Sequence, residues 1–253
     1  MKHPILILTR DRPDQFRDMI ESIRRSTDPD TYRLIICDNA STCPKMLDYL
    51  DLLEQQDCRV IHNKANLLFE GLNPGLAEVD ADYFLISDPD IILNPKIPFH
   101  WILRLKEVLQ NVMMPKIGLA LDINFEEDNE FTRRITEGES QYWKDTISLP
   151  GISDPCYLGG IDTTMAMYRR DTFRYWDETM VFDKEHGVNS DEQIRQSEYS
   201  EKYYIPVSRV AGAYTATHTG WDRSGKYAED QAYYLKTCNM NAASTIKGWF
   251  AGE

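Results

Sequence analysis

Tyr83-Phe84-Leu85-Ile86-Ser87-Asp88-Pro89-Asp90 is the stretch on which the reading of this chain turns. Its first five residues form a short, mainly apolar run bounded by turn residues, the pattern of a strand buried in a sheet. Two carboxylates one residue apart then follow where the strand should end. Asp and Pro favour turns, and a polar turn is the plain reading of such a segment. The alternative is a shared cation, because oxygen-rich sites suit Mg²⁺ or Mn²⁺. In open α/β sheets the carboxyl ends of the strands are where ligands bind.

Working outward, the first half of the chain alternates strand and helix. Ile5-Leu6-Ile7-Leu8 reads as a strand, and Pro13 opens a helix through about Arg25 with Phe16, Met19, Ile20 and Ile23 on one face. Leu34-Ile35-Ile36-Cys37 is a second strand, and Pro44 opens a second helix carrying Met46, Leu47, Leu50 and Leu53. Arg59-Val60-Ile61 is a third strand, and a short helix near Asn73 to Glu78 leads into the Tyr83 run. This order predicts an α/β fold, a Rossmann-like and mainly parallel sheet with helices on both faces. Beyond Asp90 the pattern predicts a helix over Trp101–Val112 and a strand over Ile117–Leu121. A turn-rich stretch over Thr136–Pro155 follows. Further strands are expected at Tyr203–Ile205 and Ala213–Thr215, a helix near Asp191, and a last helix over Ala228–Met240. The second half reads as an elaboration of one domain. Its expected divisions are residues 1–95, 96–225 and 226–253, the last a helical extension.

The 253 residues carry a net charge of −13, which argues against nucleic acid as a partner and against adsorption to anionic membrane. No apolar stretch approaches the length of a membrane span. The five cysteines, Cys37, Cys43, Cys58, Cys156 and Cys238, are odd in number and form no C-x-x-C. They read as reduced, mostly core-filling thiols of a cytoplasmic protein, with peripheral membrane contact left open.

Polar residues close each of the first four strands: Thr9-Arg10, Asp38-Asn39, His62-Asn63-Lys64 and Asp88-Pro89-Asp90. If the strands are parallel neighbours, all four sets line one crevice. Carboxylates and amides there could hydrogen-bond a uracil and a ribose, while Arg10 or Lys64 meets phosphate. No G-x-G-x-x-G follows the first strand, and no G-x-x-x-x-G-K-[ST] occurs. A metal at Asp90 is then the expected source of charge neutralisation for a diphosphate.

In these features the chain resembles the GT-A fold glycosyltransferases, and in particular the inverting, family 2-like enzymes. Ile5 to Pro13 looks like the family's opening strand and turn, and Ile35 to Ser41 is similar to its V-D-N-x-S segment. Asn63 to Gly75, with Asn66 and Asn73, resembles its Asn/Gly-rich stretch, and Ser87 to Asp90 its D-x-D. The resemblance covers roughly residues 3–220 and is most specific in the first hundred. It implies transfer of a sugar from a nucleoside-diphosphate sugar, UDP-linked by expectation, to a hydroxyl acceptor by one inverting displacement. The acceptor would be a glycan, a lipid-linked or a protein-linked group. The implied donor-binding residues are Thr9, Arg10, Asp38, Asn39, Lys64, Asn66, Asn73 and Asp88. Asp88, Asp90 and His218 would hold Mn²⁺ or Mg²⁺. Leu158 to Arg170 looks like the family's donor–acceptor segment, and Trp176-Asp177-Glu178 resembles its F-D-E. Asn189 to Arg195 resembles the E-D-x-x-L-x-x-R segment, with Ser190 replacing the first acidic residue. Asp191 is thus the expected base and Asp162 the alternative. Trp221, Trp143 and Tyr142 could stack on sugar faces or pack in the core. A sugar nucleotidyltransferase and a non-catalytic nucleotide-sugar or glycan-binding module remain the alternative readings.

Overall fold

A computed structural model describes residues 2–56, 58–125, 128–161, 164–171, 207–222 and 224–238. Its centre is a nine-stranded sheet in the order β3-β2-β1-β4-β9-β6-β10-β8-β7. The strands are β1 (His3–Thr9), β2 (Tyr32–Asp38), β3 (Arg59–His62), β4 (Tyr83–Ser87), β6 (Lys116–Leu119), β7 (Asp145–Ile147), β8 (Cys156–Leu158), β9 (Ala166–Arg169) and β10 (Ser208–Val210). The first four run parallel, and β6 and β10 share their direction across the antiparallel β9. β5 (Ile91–Leu93) pairs outside this sheet with β11 (Ala216–His218). The helices are α1 (Pro13–Ser26), α2 (Pro44–Gln55), α3 (Asn73–Ala77), α4 (Trp101–Asn111), α5 (Glu130–Ser140) and α6 (Ala228–Thr237).

The continuous apolar runs of β1, β2 and β4 follow from burial on both faces. Side chains alternate along a strand, so Ile5, Ile7, Leu34, Ile36 and Leu85 pack with Phe16, Met19 and Ile20 of α1, Met46 and Leu50 of α2, and Leu105 of α4. Leu6, Ile35, Cys37, Phe84 and Ile86 face the other way, onto Leu72 and Leu76. Cys37, Cys43 and Cys156 are buried, Cys58 and Cys238 half-buried, and all five are free thiols.

Two expectations are corrected. The stretch expected to be turn-rich from Thr136 is helical through Ser140, because α5 starts earlier at a strong cap. Asn129 accepts the Thr132 N–H at 3.0 Å while the Thr132 hydroxyl accepts the Asn129 N–H, a reciprocal capping box. Residues 213–215 do not form a strand. Gly212 takes φ +63 and begins a 3₁₀ turn, Asp154 accepts the Ala213 N–H at 2.8 Å, and the strand starts at Ala216. Gly adopts such a φ at no steric cost. Tyr203–Ile205, Asp162, the Trp176 segment, Asp191 and Met240 lie outside the described residues.

Candidate active site

The parallel register brings the strand ends level. Thr9 of β1 pairs with Asp38 of β2, Asp38 pairs with His62 of β3, and Ser87 of β4 lies beside Ile7. The four polar strand ends therefore share one edge of the sheet. The chain leaves β1 and β2 through residues in left-handed backbone, Asp11 at φ 49 and Ala40 at φ 56. Strain of this kind, about 1–3 kcal/mol per residue, persists only where neighbours over-determine the conformation.

Several of these residues are committed to the frame. Arg10 donates to the carbonyls of Asn39 and Ala40, and to that of Thr237 at 2.9 Å. Asn39, 3% exposed, donates to the Leu68 carbonyl and accepts from Asn63. A Cβ on Gly71 would lie 2.1 Å from Asn39 Oδ1, so glycine is required at this approach. Asp38 accepts from the Ser41 N–H and hydroxyl, and His62 Nδ1 lies 3.5 Å from its Oδ2. Asn66 accepts the Leu68 N–H at 3.2 Å, and Lys64 is exposed. Thr9 is buried with its hydroxyl unpartnered. Asn73 opens α3 behind this loop, and Asp88 is half-buried at the end of β4.

Asp90 differs from Asp38 in keeping one oxygen unsatisfied. It is 2% exposed, its Oδ2 accepts from Arg12 Nη1 at 2.9 Å, and its Oδ1 is buried without a hydrogen-bond partner. His218 comes alongside because β11 pairs with β5: His218 sits opposite Ile91, and the Thr219 N–H and hydroxyl both bond the Asp90 carbonyl. His218 Nδ1 lies 3.8 Å from Asp90 Oδ2 and is likewise buried without a partner. Gly220 permits the approach, since a Cβ there would stand 2.7 Å from both Asp90 Oδ2 and the His218 ring. Burial pushes the Asp90 pKa up, but the His218 and Arg12 charges outweigh it and hold the carboxylate below its ordinary range.

The two orphaned atoms fit a divalent cation: a carboxylate oxygen and an imidazole nitrogen are buried without hydrogen-bond partners, and that nitrogen stands 3.8 Å from the same carboxylate's other oxygen. Among the described residues no cluster of three or more His, Cys, Asp or Glu could hold a metal. Asp90 and His218 would therefore need help from a ligand's oxygens, as Mg²⁺ sites built on substrate phosphates do.

Arg12 was not singled out by the sequence reading. The signal is its place directly before Pro13, which disfavours helical backbone. Its φ of −132 and ψ of 64 carry it across the strand ends. Burial lowers its pKa, but Asp90, Tyr234, Asp88 and Asp230 together hold it raised. The expected sugar-stacking aromatics have other contacts. Trp221 is 6% exposed and stacks on His218 with centroids 4.6 Å apart, and Trp143 tilts against Tyr157. The Arg209 guanidinium lies 4.2 Å from the Tyr142 ring centroid. Two cavities of about 430 Å³ meet at Trp221. One is lined by His218, Asp122, Asn124 and Tyr227, the other by Phe131, Ile135 and Tyr142. No helix among the described residues is long and apolar enough to cross a membrane.

Comparison with known proteins bears on the fold and the family. The crystal structure of TarS from S. aureus is similar at TM-score 0.56 and 12% identity, over 99% of this chain and 42% of that one. The mannosyltransferase PcManGT from Pyrobaculum calidifontis, solved with GDP-Man and Mn²⁺, is similar at 0.56 and 11%, over 97% of this chain and 64% of that one. TarS residues 1–349 with UDP-GlcNAc give 0.51 and 13%, over 97% and 64%. At such identities the likeness establishes the GT-A fold, and the chain spans less than two thirds of each of these structures. No curated protein matches the sequence. The description "Glycosyl transferase family 2" fits residues 5–176, more than half of the chain and inclusive of both acidic strand ends, so the chain belongs to that family.

Proposed function

We propose that the chain transfers a sugar from a UDP-sugar to a hydroxyl acceptor, with inversion and with help from Mn²⁺ or Mg²⁺. The observation that carries the reading is the pair of orphaned ligand atoms, Asp90 Oδ1 and His218 Nδ1, at the edge where the polar strand ends converge. Asp38, Lys64, Asn66, Asn73 and Asp88 are the side chains proposed to meet the base, ribose and diphosphate. Thr9, Arg10 and Asn39 build the floor beneath them. A cation held by Asp90 and His218 would act as a Lewis acid toward the leaving diphosphate. Asp38 and Asp88 can accept hydrogen bonds from hydroxyls and ring N–H groups, which orients the donor. In the displacement the acceptor oxygen bonds to the anomeric carbon as the bond to the diphosphate breaks. The acceptor's proton passes to a carboxylate, proposed as Asp191 with Asp162 as the alternative. Such a base is worth about 10²–10⁴-fold. The cavities beside Trp221 suit an acceptor that is a glycan or a lipid- or protein-linked hydroxyl. A cytoplasmic location belongs to the same proposal.

The test is thermal unfolding with a panel of nucleotide sugars, each with Mn²⁺ and with chelator, followed by an assay for released nucleoside diphosphate. Stabilisation by UDP-sugars that needs the metal, with turnover on an acceptor library, supports the reading. Binding without turnover on any acceptor would make the chain a binding module, and no binding at all would remove the site.

A further inference from the structure

The candidate site contains a fixed cation that the proposed reaction does not itself require. Arg12 donates to the carboxylate best placed to hold a metal, at 2.9 Å, and that carboxylate is 2% exposed. The guanidinium also lies over the ring of Tyr234 on α6, 4.6 Å from its centroid, a contact that favours a cation. Its Nε is buried without a partner. Thus Arg12 is held between two elements far apart in sequence. A guanidinium cannot shed its proton in a protein, so its positive charge stays whatever else enters the site.

We propose that Arg12 makes cation capture conditional on the donor. It neutralises Asp90 while the site is empty, so that a divalent cation binds tightly only together with a nucleoside diphosphate. The inference rests on the nucleotide-sugar reading above. Ionised Asp88 and Asp90 bring two negative charges, and Arg12 cancels one of them. What remains is a weak trap for a doubly charged ion beside a resident positive charge, and repulsion between such charges is strong where water is scarce. Arg12 also occupies Oδ2 and leaves Oδ1 as the one oxygen of Asp90 without a hydrogen bond. A diphosphate would supply both the missing negative charge and further oxygens. By linkage the coupling is reciprocal: nucleotide would tighten the metal as much as metal tightens nucleotide.

The test is Mn²⁺ binding to the full chain, read from the paramagnetic resonance of free Mn²⁺, alone and with saturating UDP or, in parallel, GDP. In the unsubstituted chain nucleotide is expected to tighten Mn²⁺ by about 10-fold or more, within the usual coupling range of 5–150-fold. Arg12→Gln is expected to bind Mn²⁺ tightly without nucleotide, so that the coupling collapses. Arg12→Lys, which keeps the charge, should keep most of it. Should Arg12→Gln fail to fold, Tyr234→Leu removes the ring that fixes the guanidinium, and the coupling should fall part way. Unchanged or weakened Mn²⁺ binding by Arg12→Gln alone would overturn the proposal and leave Arg12 a structural ion pair. So would equal Mn²⁺ affinity with and without nucleotide in the unsubstituted chain, while the nucleotide reading would stand. If that chain binds neither UDP nor GDP at any Mn²⁺ concentration, the functional reading fails, and this inference falls with it.

Discussion

Replacing Asp11 tests the account of how the strand ends are held. Asp11 is fully buried, and its Oδ1 accepts the Thr42 N–H at 2.6 Å and the Cys43 N–H at 2.8 Å. Those amides open α2, whose N-cap residue Cys43 makes no side-chain cap of its own. Asp11 Oδ2 accepts from the hydroxyls of Thr42 and Thr237. The carboxylate therefore caps α2 from a distant part of the chain and fastens α6 to the same point. Asp11→Ala strands two backbone N–H groups in a site that the surrounding side chains close to water. At about 1–3 kcal/mol for each unsatisfied donor, the loss is about 4 kcal/mol, against a total stability of about 5–15 kcal/mol. The hydroxyls can turn to other acceptors and add little. Asp11→Asn keeps an oxygen for the two amides and suits the left-handed backbone, so it should lose only about 1 kcal/mol of charge assistance. Urea unfolding followed by circular dichroism measures both. A loss below about 1 kcal/mol for Asp11→Ala, or equal losses for the two variants, would refute the capping argument.

Three further outcomes are expected. Asp230 caps α1 in the same manner, its Oδ2 accepting the Asp14 and Gln15 N–H groups at 2.8 Å each. Burial raises its pKa more than these bonds lower it, so the folded chain holds this proton to higher pH than the unfolded chain does. Its contribution to stability is full below the ordinary carboxylate pKa of about 3.9 and falls as pH rises through the raised value. Asp230→Asn should remove that slope from a plot of urea midpoint against pH, and an unaltered slope would contradict it. Gly220→Ala would press a methyl group against Asp90 and His218, each 2.7 Å away, at an overpacking cost of about 1–3 kcal/mol. Mn²⁺ titration in the presence of UDP should show weakened binding, and normal affinity would mean that the pair is not the metal site. Asp90→Ala should abolish metal-dependent transfer while circular dichroism stays native, so full activity in that variant would dismiss Asp90 as a ligand.

The sheet was legible because β1, β2 and β4 are buried on both faces and so appear as unbroken apolar runs ended by polar residues. That Asp38 and Asp90 lie toward one edge of the sheet follows from parallel strands ended by polar residues. His218 could be named from its place after a strand, but its approach to Asp90 depends on β11 pairing with β5 across more than a hundred residues. No local pattern carries that information. Arg12 was hidden for a different reason. Its side chain acts across the strand ends, and the residues that fix it, Asp90 and Tyr234, are remote in sequence. The start of α5 was missed because Thr132 replaces the usual acidic partner in the capping box, so the signal lay in geometry.

The fastening of α6 to the first strand end has a consequence in time. Asp11 and Thr237 are 226 positions apart yet share a hydrogen bond. At a synthesis rate of about 5–20 residues per second, the first strand would wait roughly 10–45 s for that partner to be made. Until then α1 has left the ribosome without the Asp230 carboxylate at its first turn, and Arg12 without its aromatic rest. A nascent chain arrested before residue 228 should therefore hold the parallel strands but expose the amides of residues 14 and 15 to rapid hydrogen exchange. Protection there would arrive only with α6, which would make the Arg12–Asp90 edge late to mature among the described parts of the protein.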